Sequence, residues 1–161
     1  MSLDERLLRV ARTRGHTPAA ERAVARFSRL GQHAGIWLAL GGAKWMVSKG
    51  ESRARWRRAT TTVAATYAAN TALKLVVRRP RPQLPGLPPL TSTPTRYSFP
   101  SAHSSTSFAA ALAFSRAGLP ALPLYTFAKC LALSRLYLGV HYPSDIAAGA
   151  LLGTAIAAVA A

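Results

Sequence analysis

The chain has 161 residues, half of them hydrophobic, and a formal charge of +16 from 21 basic against 5 acidic side chains. The length suits one domain, the apolar content is too high for disorder, and the charge imbalance excludes an ordinary soluble enzyme with a mixed-charge surface. Two classes remain, a nucleic-acid binder and a membrane protein with basic residues at the polar ends of its helices. The lone Cys130 excludes an intrachain disulfide and a thiolate metal cluster.

Residues 3–30 read as one or two amphipathic helices. Leu7, Val10 and Ala11 recur at helical spacing, as do Ala23, Phe27 and Leu30 after Pro18, with arginines opposite. Segment 1–33 is therefore expected to lie on the membrane surface, its arginines toward anionic headgroups; a soluble hairpin packed on the rest is the alternative. Five apolar segments follow, at 34–48, 59–77, 104–119, 120–138 and 144–161, several interrupted by a polar residue such as Lys44, Asn70, Lys74 or Lys129. A bilayer core of about 30 Å needs roughly 20 helical residues. No single segment would define a span, but five in succession define a core over 34–161. Stretches 49–58 and 116–119 are read as loops on one face. Gly149, Ala150 and Gly153 would let helices approach closely.

The expected fold is all-α: an integral membrane helical bundle of about five transmembrane helices behind an N-terminal amphipathic interfacial segment. Buried helices of a soluble α-protein are the other reading. The long connector 78–100 holds seven prolines, which forbid a continuous helix and favour an extended loop of the kind that carries function.

Three motifs carry chemistry. In the first, Lys74 and Arg78 share a helical face and Pro80 disfavours helix at Arg79, so Arg81 can fold back toward Lys74. An ammonium beside a guanidinium fork suits a tetrahedral phosphate; a stop-transfer cluster is the plain alternative. In the second, Pro100-Ser101-Ala102-His103 opens an Ala-rich helix. Its free N–H groups and the Ser101 hydroxyl can bind an anion, and His103 can protonate an oxygen leaving it. In the third, Ser134-Arg135 precedes His141 and Asp145. Pro143 starts the last helix, so Asp145 falls in its first turn and can hold one imidazole nitrogen of His141 as N–H while the other attacks. Asp145 is the one acid after Glu51. Together these groups describe phosphoryl transfer through a phosphohistidine, with Lys74, Arg81, Arg135, Ser101 and nearby amides on the equatorial oxygens. No metal and no cofactor are called for, because three cations neutralise the phosphate and no carboxylate cluster is present to hold Mg²⁺.

In order and spacing, Lys74-x6-Arg81-Pro82, Pro100-Ser101-Ala102-His103 and Ser134-Arg135-x5-His141-x3-Asp145 resemble the motifs of the type 2 phosphatidic acid phosphatase superfamily, a group of membrane lipid phosphatases and vanadium haloperoxidases. The resemblance implies the same roles for Lys74, Arg81, Ser101, Ala102, His103, Arg135, His141 and Asp145. Ala102 stands where the family normally has glycine, and the amphipathic segment stands in place of a first spanning helix. The short, Ala/Arg-rich chain resembles actinobacterial members acting on polyprenyl phosphates. It is thus expected to hydrolyse a lipid-linked phosphomonoester or diphosphate, with decaprenylphosphoryl-5-phosphoribose, polyprenyl diphosphates and phosphatidylglycerophosphate as candidates. A non-catalytic basic membrane-surface protein is the alternative class. Expected partners are the lipid phosphate and the bilayer, without nucleic acid, since no aromatics interleave the arginine clusters; a homo-oligomer is left open. The location is the cell membrane, multi-pass, and the arginine balance leans toward a cytoplasmic active site.

Overall fold

The structure, a computed structural model, describes residues 1–160, and among them all regular structure is helical. α1 (Leu3–Thr13) opens on a capping box, in which Glu5 N–H donates to Ser2 Oγ at 3.2 Å and Ser2 N–H to Glu5 Oε2 at 2.8 Å. α2 (Pro18–Arg29) starts on a Thr17 cap with proline in its first turn. A short turn, Gln32–Ala34, leads into α3 (Gly35–Val47) and α4 (Gly50–Val77). The loop 78–100 then delivers the chain to α5 (Ala102–Arg116), α6 (Ala121–Tyr137) and α7 (Pro143–Ala160).

The helical starts read from Ser101 and Pro143 are where the sequence puts them, but 49–58 is not a loop. α4 begins at Gly50 and runs 28 residues, so Arg53, Arg55, Arg57 and Arg58 occupy its first turns. Arginine, alanine and glutamate are good helix formers, and a charge run alone does not distinguish a loop from a solvated helical end. Among the described helices only α7 is both long and apolar enough to cross a membrane by composition.

α5 is the axis of the bundle, packed on α4, α6 and α7. Its interior is Ser104–Ser107, Ala109–Ala111, Ala113 and Phe114, all buried. The hydroxyls are satisfied within the bundle: Thr106 Oγ1 donates to Ala102 O of its own helix at 2.8 Å, Ser104 Oγ to Ile146 O of α7 at 2.7 Å, and Ser107 Oγ accepts from Trp37 Nε1 of α3 at 2.9 Å. α7 approaches α5 through Gly149 and Gly153; a Cβ on Gly153 would collide with the Ser105 carbonyl. Val63, Leu124 and Leu131 share the core with Trp37 and Trp56, but many other large apolar side chains lie outside, with Val76, Leu122, Leu151 and Val159 each more than 70% exposed. Small and polar inside with apolar outside is the distribution a lipid solvent favours.

The N-terminal segment is docked, not merely adjacent. Leu8 and Arg12 of α1 are buried while Leu3, Leu7 and Val10 face outward. Arg12, expected among the headgroup-facing arginines, instead donates from Nη1 to Tyr137 O at 3.1 Å and from Nη2 to Pro88 O at 2.8 Å. It fastens α1 to the end of α6 and to the proline loop, because those carbonyls have no helical partner of their own.

Candidate active site

The C-terminal ends of α2, α4 and α6 and the N-terminal ends of α5 and α7 meet at one end of the bundle, around a cavity of about 70 Å³. Lys74, Arg81, Ala102, His103, Arg135 and His141 line it. Residues separated by up to 67 positions are thereby brought to one space sized for a phosphoryl group.

Each is held by identifiable contacts. Lys74 is in the last turn of α4, and its Nζ donates to Pro100 O at 2.6 Å and Ser98 O at 3.0 Å. Arg78 ends α4 with φ of 52°, which turns the chain off the helix axis into the loop. Ser98 N–H then donates to Arg79 O at 2.8 Å, pinning the two ends of that loop together. Arg81 donates from Nε to Thr95 O at 2.8 Å and from Nη1 to Val140 O at 2.7 Å, and the same Nη1 lies 3.3 Å from His141 Nε2. Burial lowers the Arg81 guanidinium to about 10, with Asp145 opposing, so it remains a cation at neutral pH. Arg135 Nη1 donates to Ser28 Oγ at 2.7 Å, while its buried Nε makes no hydrogen bond.

His141 sits in the turn before α7 with 3% of its surface exposed. Its Nδ1 is 3.3 Å from Asp145 Oδ2, which also accepts from Tyr142 N–H at 2.9 Å. An ionised carboxylate only accepts, so Nδ1 carries the proton and Nε2 presents a lone pair to the cavity. Burial pushes the imidazole down to about 3; Arg81, Lys74 and Arg135 add to this and the Asp145 bond opposes it. His141 is therefore neutral, as a nucleophile must be.

His103 Nε2 lies 2.9 Å from Ser28 O; a carbonyl accepts, so this nitrogen bears hydrogen. Ala102 is the first residue of α5 and helical, so nothing at this position requires the positive φ that would favour glycine. Ser101 lies behind the cavity wall: its Oγ accepts from Ser104 N–H at 3.5 Å as the cap of α5, and its N–H donates to Asp145 O at 3.0 Å. Several residues at the site were not singled out for it from the sequence, among them Arg29, His33 and Tyr67 on the cavity wall and two that hold motif residues in place. Ser28 of α2 contacts Arg135, Ser134 and His103, and Arg79 donates from Nη1 to Asp145 Oδ1 at 2.8 Å. Only a polar residue beside Phe27 on the inward side of α2 hinted at the first.

The motif cations Lys74, Arg81 and Arg135 and the motif imidazoles His103 and His141 face one small space, with Arg29 and His33 also on its wall; with the motif carboxylate engaged behind them, this arrangement selects a tetrahedral anion. Residues 55–161 match the PAP2 superfamily. The chain belongs to that superfamily. This PAP2 protein is 42% identical over 135 residues to the decaprenylphosphoryl-5-phosphoribose phosphatase of Mycobacterium tuberculosis (strain ATCC 25618 / H37Rv), covering 82% of this chain and 73% of the relative. It is 41% identical over 123 residues to the protein of the same name from Mycolicibacterium smegmatis, covering 76% and 67%. Among solved structures, Aquifex aeolicus LpxE superposes with a TM-score of 0.83 at 22% identity over 99% of this chain and 95% of that one. The transmembrane PAP2 type phosphatidylglycerolphosphate phosphatase of Bacillus subtilis gives 0.78 at 20% identity, over 98% and 82%. At those identities the likeness shows the fold, an all-helical bundle shared with a transmembrane protein. The family and the all-helical fold class are as the motifs led us to expect, and the PAP2 chain is a membrane phosphatase acting on lipid phosphates.

Proposed function

We propose that this PAP2 protein releases phosphate from a polyprenyl-linked phosphomonoester through a phosphohistidine, with decaprenylphosphoryl-5-phosphoribose as substrate. The name of its mycobacterial relatives supports the substrate. The observation that carries the chemistry is His141 Nε2, unprotonated on the cavity wall, 3.3 Å from Arg81 Nη1 and backed by Asp145.

The phosphate enters with its oxygens against Lys74, Arg81 and Arg135, where the unused Arg135 Nε and the N–H groups opening α5 add donors. His141 Nε2 attacks phosphorus in line; the N–P bond forms as the P–O bond to the ribose breaks. The negative charge of the bound phosphate lets His103 take up a second proton from solvent, and the imidazolium then gives its Nε2 proton to the leaving oxygen, exchanging the Ser28 carbonyl for that oxygen. Asp145 stabilises the positive charge that develops on His141. In the second half, water attacks phosphorus while His103 takes its proton, and the N–P bond breaks to free phosphate and His141. Charge neutralisation comes from the three cations. Asp145 is not available as a metal ligand, because both its oxygens are engaged, by His141 and Tyr142 on one side and Arg79 on the other.

We read α3–α7 as five crossings, with segment 1–33 docked on the active-site face. Setting aside Lys74, Arg81 and Arg135, that face carries ten arginines, against Lys49, Arg53, Arg55, Arg57, Arg58 and Arg116 opposite. The positive-inside rule supports a cytoplasmic active site on this balance.

The deciding experiment is His141→Ala, purified in detergent and assayed for phosphate release from decaprenylphosphoryl-5-phosphoribose and for acid-labile, base-stable phosphoenzyme. Both should vanish while the helical circular dichroism persists. Substantial turnover by the variant would sink the mechanism.

A further inference from the structure

Arg79 takes no part in the steps above, yet it is the residue that grips the carboxylate behind the nucleophile. Its Nη1 donates to Asp145 Oδ1 at 2.8 Å and to Ser144 Oγ at 2.7 Å, and its Nη2 donates to Asp4 Oδ2 at 2.8 Å. The guanidinium stacks on the Tyr142 ring at 4.1 Å. Asp4 belongs to the first turn of α1. Its Oδ1 accepts from Ser144 N–H at 3.0 Å, while Ser144 Oγ donates to the same Oδ2 that Arg79 engages. Ser144 is the second residue of α7, so Asp4 accepts from another helix one of the free N–H groups of this exposed helical start. Burial would raise the Asp4 carboxyl, but the bonds from Arg79 and Ser144 outweigh it and hold it below the ordinary carboxylate range.

The chain Asp4–Arg79–Asp145–His141 thus runs from a peripheral helix to the attacking nitrogen. α1 turns Leu3, Leu7 and Val10 outward, the face an interfacial helix lays into the membrane surface. Asp145 is fixed on one side by Tyr142 N–H and His141, and on the other, among the described residues, only by Arg79. Arg79 is fixed in turn by Asp4 and Tyr142.

We infer that Asp4 and Arg79 are positioning residues for the reaction, Arg79 holding the Asp145 carboxylate at the angle that aims His141 Nε2, and Asp4 tying that grip to the seating of α1. This rests on His141 being the nucleophile. A misaimed nucleophile lowers the rate of attack without weakening the phosphate clamp, so the loss belongs in kcat and not in KM.

The test compares full-length wild type, Asp4→Asn, Arg79→Gln, Arg79→Lys and the Asp4→Asn/Arg79→Gln double variant in detergent, with decaprenylphosphoryl-5-phosphoribose as substrate and His141→Ala as control. Asp4→Asn and Arg79→Gln should each lower kcat by about tenfold with KM within about twofold. Arg79→Lys should recover part of the loss, and the double variant should be no slower than Arg79→Gln, because the two residues act through one contact. Wild-type kcat in Asp4→Asn beside an inert His141→Ala would overturn this inference alone, as would losses confined to KM or a multiplicative double variant. Turnover by His141→Ala would bring down the mechanism beneath it as well. Should Arg79→Gln fail to fold, Asp4→Asn decides the matter by itself, since it keeps the shape of a partly exposed side chain.

Discussion

Replacing Arg81 by alanine removes one guanidinium that serves three purposes. It faces the nucleophile from 3.3 Å, and it donates to the carbonyls of Thr95 and Val140 at 2.8 and 2.7 Å. Loss of a preorganised donor to the charge that develops in the transition state costs about 2.7–4 kcal/mol, so kcat should fall by about 10²–10³-fold. Val140 is buried, and leaving its carbonyl without a donor costs about 1–3 kcal/mol of stability, which should appear as a lower Tm. Arg81→Lys keeps a charge but one ammonium cannot span both carbonyls and the phosphate, so its kcat should lie between wild type and alanine. Steady-state phosphate release and thermal denaturation in the same detergent separate the two effects. The comparator is Arg79→Ala, two residues away in the other Arg-Pro pair, expected to lose about tenfold because it acts only through Asp145. If folded Arg79→Ala proved more damaging to kcat than Arg81→Ala, the assignment of Arg81 to the clamp would be wrong.

Activity should survive EDTA and be inhibited by vanadate, a mimic of five-coordinate phosphorus; an absolute Mg²⁺ requirement would contradict a clamp of three side-chain cations. His141 is held neutral in the fold at about 3 against an ordinary 6.5. Below about pH 6.5 the unfolded chain therefore takes up a proton that the folded one refuses, and stability falls as pH drops toward about 3. Wild type should lose about 1.4 kcal/mol per pH unit more than His141→Asn over that window, read from denaturation midpoints; identical pH profiles would refute the burial argument. For orientation, Ser92→Cys in a Cys130→Ser background, needed because the native thiol is exposed, should resist a membrane-impermeant reagent in intact cells. Labelling would place the site outside.

The cavity-lining residues of the motifs were legible because their roles depend on local geometry. Ser101 caps a helix whose first turn must then carry Ala102 and His103, and Pro143 fixes where Asp145 falls relative to His141. Of the two Arg-Pro pairs, the one separated from Lys74 by six residues carries Arg81, and Arg81 is the one on the cavity wall. What stayed hidden depends on long-range partners. Arg79 reaches Asp4 and Asp145 across 75 and 66 positions, and Ser28 reaches Arg135 across 107; no periodicity encodes such pairs. Arg12 shows a second limit, since an arginine on an amphipathic helix looks solvated unless the free carbonyls waiting for it are known. The arginine run at 53–58 shows a third. Hydropathy marks where a helix leaves lipid, not where it ends, and α4 continues through the charged stretch.

The interlocking of the first 33 residues with the bundle bears on how the protein can be divided. The family match begins at residue 55, inside α4, and omits Trp37, which is buried in the core and bonded to Ser107 of α5. An expression fragment cut at that boundary would begin in mid-helix with a hole in its interior. A cut just before α3 is gentler on packing but strips three catalytic-end groups of a partner each: Arg135 Nη1 and His103 Nε2 lose Ser28, and Arg79 Nη2 loses Asp4. The smallest piece that keeps every motif residue furnished with its contacts therefore starts no later than Ser2, whose side chain caps the helix that carries Asp4.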